Sequence, residues 1–106
     1  MFEHELKTIC PDAGHLVHMV SHTDVLCGKY QAAIVANADS QRADQKFRKW
    51  CAAQDVQLRH LGFYTVYRCH SVQFLVYAAM LCGQQGVATK AATDLLEIVR
   101  ETRLEE

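Results

Sequence analysis

The chain has few of the residues that interrupt structure. One proline and five glycines among 106 residues leave no room for a flexible or Pro-rich linker. No apolar run is long enough to span a bilayer, and the longest, Phe74–Cys82, reads as a buried element. Neither sign of charge dominates. A formal net charge of −1 argues against a surface built to cover phosphates, and it opposes self-association little. The sequence has no Gly-rich phosphate loop, because Gly83-Gln-Gln-Gly86 lacks a strand before it and a Lys-Ser/Thr after it. It has no G-x-S-x-G elbow and no C-x-x-C knuckle. The acids are scattered, with no pair set in an apolar run that would raise one pKa for acid–base work. No internal repeat or low-complexity tract is visible.

What is present suits one globular domain covering residues 1–106. Half the residues are apolar and 22% are charged, the balance of a folded chain. A start at Met1 reads as a complete product. The segment Met1–Lys7 is amphipathic and carries acids, unlike a secretory leader. Cys10, Cys27, Cys51, Cys69 and Cys82 are odd in number, which suggests free thiols in a reducing, cytoplasmic setting.

Periodicity divides the chain into alternating elements. Asp12 reads as the N-cap of a first helix whose inner face is Leu16, Val20, Thr23 and Cys27, with Gly28 ending it. Tyr30–Ala38 reads as a short buried strand, with Asn37–Ser40 as its exit turn and Asp39 or Ser40 capping a second helix. That helix carries an apolar stripe of Ala43, Phe47, Trp50, Cys51 and Gln54. Val56–Gly62 and Phe63–Cys69 are β-branched and aromatic, as in a hairpin turning at Gly62. Ser71 reads as the cap of an apolar helix to Cys82. Val87 to Arg103 shows the clearest helical pattern, with Ala88, Ala91, Ala92, Leu95, Ile98, Val99 and Thr102 on one face. The expected fold is therefore α+β: a small helix-rich domain with two to three strands and about four helices. The rival is an all-α bundle in which Tyr30–Ala38 continues the first helix.

Three sets of residues carry chemistry. His15, His18 and His22 fall within about 60° of one another on a helix, opposite the expected inner face. Neutral imidazoles at this spacing suit zinc or nickel, with a partner or distant segment completing the set. The plainer reading is a solvated face. Cys69 and His70, with His60 upstream, offer a thiol and imidazoles, but a strand would turn neighbours to opposite faces, and a structural thiol is the simpler account. Arg42, Lys46 and Lys49 form a basic stripe that suits RNA, DNA or an acidic protein surface, with an ordinary solvated face as the plainer reading. The last two helices have helix-turn-helix proportions, but acids on the second would repel phosphates, so nucleic acid is disfavoured.

The sequence thus points to a non-enzymatic interaction module without a cofactor. It would contact a larger protein, or itself as a homodimer, through Arg42, Lys46 and Lys49 or through Leu95, Ile98 and Val99. A metal-binding protein using the histidine stripe and a small nucleic-acid binder are the alternatives.

Overall fold

Among the described residues of the computed structural model, three in the left-handed region punctuate the chain: Gly28 (φ 73°), Asp55 (φ 58°) and Gly83 (φ 74°). Each closes a helix in the same way. At the first, Gly28 N–H donates to Val25 O (3.1 Å) and Lys29 N–H to Asp24 O (2.7 Å). The same paired bonds recur after Asp55 and Gly83, with Val56 N–H reaching Cys51 O and Gln84 N–H reaching Ala79 O (both 2.8 Å). These pairs satisfy carbonyls that a helix end would otherwise leave open.

The structure describes residues 8–57 and 62–105, with side chains to residue 101. Its helices are α1 (Gly14–Leu26), α2 (Tyr30–Ala53), α3 (Gly62–Leu81) and α4 (Gln85–Glu105). No strand occurs among the described residues, so the α+β expectation is corrected to an all-α bundle. Tyr30–Ala38 is helical, but it opens α2 rather than continuing α1. Ala32, Ala33, Ala36 and Ala38 favour a helix, and the buried positions 33, 36, 37, 40, 43 and 44 keep its period. Asp39, Ser40 and Ser71 lie inside helices rather than capping them. Phe63–Cys69 belongs to α3, while residues 58–61 of the expected hairpin, His60 included, lie outside the described residues.

Helix α2 packs on both α1 and α3, and α4 packs on α3. The result is a slab of 40 × 31 × 18 Å. Its apolar core joins α2, α3 and α4 through Ala33, Ile34, Val72, Leu75, Ala78, Ala79, Ala88, Ala91 and Ile98. Most of these side chains are small, so the helix axes come close. The seam among α1, α2 and α3 is polar instead, and His18, Ser21, Asn37, Ser40 and Ser71 are fully buried there. Ser40 Oγ donates to Gly14 O (2.7 Å) and lies 3.2 Å from Ser71 Oγ, which donates to Tyr67 O (3.1 Å).

The seam depends on a glycine. A Cβ at Gly14 would stand 2.8 Å from Asp44 Cγ and 3.0 Å from the Ser40 carbonyl oxygen. Gly14→Ala should therefore cost about 1–3 kcal/mol in urea denaturation, as overpacking does. An unchanged midpoint would show that α1 can shift away from α2 without loss.

A candidate metal centre

The structure corrects the expected inner face of α1. Val17, His18, Val20, Ser21 and Asp24 are buried, whereas Leu16 is 39% exposed and Thr23 and Cys27 face outward. The physical reason is that α1 is covered on two sides, by α2 and by α3, and the buried arc includes polar groups that find partners there. His18, expected on the outer face, is 0% exposed.

His18 Nδ1 lies 2.6 Å from Asn37 Oδ1. The Asn37 amide nitrogen is already committed, donating to Ala33 O at 2.8 Å within α2. Asn37 Oδ1 must therefore accept, which places a proton on His18 Nδ1 and leaves the lone pair on Nε2. That lone pair faces His22 Nε2 at 3.1 Å, one helical turn on. His70 of α3 completes the group, with its ring centroid 4.7 Å from that of His18 and 5.5 Å from that of His22. One ring nitrogen from each of the three lies within 4.8 Å of the others. Phe74 packs on all three rings, at 5.3, 4.6 and 5.7 Å from His18, His22 and His70.

These distances suit a metal ion. With bonds of about 2.0–2.1 Å, two nitrogens of a tetrahedral centre stand about 3.3–3.4 Å apart, close to the His18–His22 spacing. Bringing in the half-buried His70 needs a movement of about 1–1.5 Å, within the reach of a side-chain rotation. Burial holds the His18 imidazole down to about 4; the bond to Asn37 opposes this and the neighbouring imidazoles add to it. His22 is lowered too, by burial first and then by His70 and His15. Both rings are therefore neutral at pH 7, the form that ligates.

His15 is not part of the group. Its ring stacks on Tyr67 (4.2 Å) and lies 5.9 Å from that of His18. The structure thus unites two of the three histidines expected from the sequence and supplies His70 from another helix. His70 stood in the sequence beside Cys69, as a partner for a thiol. Burial raises the Cys69 pKa, which keeps the thiol protonated and poorly nucleophilic.

The basic stripe is countered locally. Arg42 pairs with Asp39, Lys46 with Asp12 (2.9 Å) and the nearby Arg48 with Glu101 (3.2 Å), while Lys49 is exposed. On α4, Ile98 belongs to the core and Leu95 packs against it, whereas Val99 is exposed. The large exposed apolar residues concentrate on α3: Phe63, Val66, Tyr67, Tyr77, Met80 and Leu81. No helix among the described residues is long and apolar enough to cross a membrane. No family model, curated protein or solved structure matches the chain.

Folding lowers the His18 pKa from 6.5, so between pH 6.5 and 4 the unfolded chain binds more protons than the folded one. Stability of the metal-free protein should be fully present above pH 6.5 and fall as pH drops towards 4. The loss from His18 would total up to about 3 kcal/mol. Denaturation at a series of pH values measures it. A profile that His18→Gln leaves unaltered would contradict the assignment.

Proposed function

We propose that the protein binds a transition-metal ion through His18, His22 and His70, with zinc or nickel as the ion that suits such ligands. The observation that carries this reading is the fixed tautomer of His18. Its Nδ1–H is held by Asn37 while Nε2 is turned toward His22, and His70 approaches from α3. A ligating histidine characteristically anchors its other ring nitrogen in this way. The ion would replace whatever proton the two Nε2 atoms share, and Phe74 would shield one side. Three protein ligands leave a further position for water or a small anion. The ion would also join α1 to α3. The free thiols fit a reducing cytoplasm, where the ion would be exchanged rather than locked into a cysteine cage.

Calorimetric titration of the metal-free protein with Zn²⁺ and Ni²⁺ tests the reading. One ion per chain is expected. His70→Ala or His22→Ala should abolish stoichiometric uptake, and His15→Ala should leave it intact. Asn37→Ala should weaken binding about 10–100-fold, as loss of such an outer partner does. Uptake that survives His70→Ala, or that is lost in His15→Ala, would remove the site.

A second reading, self-association, has its own support. Val66 (64% exposed) and Met80 (67% exposed) stand with Phe63 and Tyr77 along α3, and a net charge of −1 opposes pairing little. Val66→Glu with Met80→Glu should convert a dimer to a monomer in sedimentation equilibrium without lowering helicity. A parent chain that sediments as a monomer at high concentration would eliminate this reading.

A further inference from the structure

A cleft of about 380 Å³ opens on the other side of the His15–Tyr67 stack, bounded by the start of α1, the middle of α2 and the first half of α3. Its volume is that of a small-molecule site. Leu16, Phe47, Tyr64 and Tyr67 supply its large apolar side chains. Phe47 and Tyr64 meet edge to face, with centroids 5.2 Å apart.

Of the polar residues in the lining, Asp12 is paired with Lys46 and Ser71 donates to Tyr67 O, which leaves Asp44 and His15. Asp44 is 93% buried, and its Oδ1 receives the Tyr64 hydroxyl at 3.1 Å. His15 Nδ1 is buried and has no hydrogen-bond partner. In the Nε2–H tautomer that nitrogen would accept a donor placed in the cleft. Both groups are then acceptors, and a buried polar atom left without a partner is costly. The ligand that answers them brings hydrogen-bond donors on an apolar body.

The charge at the site decides the donor. Burial raises the Asp44 pKa, and a cation beside the carboxylate would oppose that shift and favour the ionised form. Arg68, His15 and Arg48 also lie in its field; of these His15 lines the cleft, whereas the two arginines line the polar groove on the carboxyl's other side. Arg48 is itself engaged by Glu101 at 3.2 Å. Aromatic rings around a cleft also favour a cation over a neutral head group.

We propose that this cleft binds a small primary amine, with its aromatic or alkyl body between Leu16 and the rings of Phe47, Tyr64 and Tyr67, and its ammonium donating to the Asp44 carboxylate and His15 Nδ1. This site is separate from the three-histidine group and does not depend on it.

The test uses the full chain, isotopically labelled and metal-free, titrated near neutral pH with 2-phenylethylamine and, in parallel, with 2-phenylethanol. The amine should give saturable NMR shifts clustered at residues 13–16, 44–47 and 64–71. The alcohol should bind about tenfold more weakly or worse, because it cannot make the charged hydrogen bond. Asp44→Asn should bring the amine down to the level of the alcohol. Leu16→Trp, placed at the half-exposed rim, should block both ligands while leaving the carboxyl in place. Absence of saturable shifts at millimolar amine would overturn the proposal. So would equal affinity for amine and alcohol in the unsubstituted protein, a comparison that stands even if Asp44→Asn fails to fold.

Discussion

The bond between His18 and Asn37 is the constraint on which the rest of the structure turns. Both side chains are fully buried, one on α1 and one on α2. Each is large and polar, so neither could be buried unless the other met it. Replacing one partner would leave the other unsatisfied in a dry seam, at a cost of about 1–3 kcal/mol. The bond therefore fixes the rotation of α1 about its own axis. That rotation turns Val17 and Val20 inward, directs His22 towards His70, and brings the start of α1 against Asp44.

A second constraint is the use of small residues where helices cross. Ala33, Ala36, Ala78, Ala79, Ala88 and Ala91 are buried, and they let α2, α3 and α4 approach closely. Close axes leave little room between them for rings. The aromatic residues are displaced to the flanks, where Phe63, Tyr67, Phe74 and Tyr77 form one row along α3, with Tyr67 and Phe74 against the histidines of α1. The same displacement accounts for the histidine cluster and for the cleft. Phe74 closes over the imidazoles, and Phe47, Tyr64 and Tyr67 wall a space they do not fill. An apolar core made mainly of alanine thus leaves its larger side chains to build sites.

These two constraints explain which parts of the fold were legible in the sequence. The turns at Gly28 and Gly83 could be read, because a left-handed residue after an apolar run favours glycine. The helical period from Ala43 to Cys51 and from Val87 onward could also be read, because polar and apolar residues alternate there with the helix period. Tyr30–Ala38 and Phe63–Cys69 resemble strands for a common reason. Their β-branched and aromatic residues suggest pleated strands, yet Val35, Phe63 and Val66 are exposed on helices, and Ile34 is buried in company with Ala33, Ala36 and Asn37 at helical spacing. Asn37 looks like a turn residue because asparagine is common in turns. Its partner is His18, 19 positions earlier, and a local reading does not see that far.

The composition of the three-histidine group, by contrast, follows from helix geometry alone. His15 and His22 share a face, but seven residues separate their Cα atoms by about 10.5 Å along the axis. A single ion reaches about 2 Å to each nitrogen, so it spans two histidines one turn apart and not three spread over two turns. His18 and His22 form such a pair, at 3.1 Å. A third imidazole has to come from a different helix, and His70 is the one that α3 brings alongside. His15 is left one turn short of the pair, against Tyr67, with a buried nitrogen that nothing in the cluster satisfies. The same step along α1 that excludes His15 from the cluster places it at the cleft, so one row of histidines contributes to both the cluster and the cleft wall.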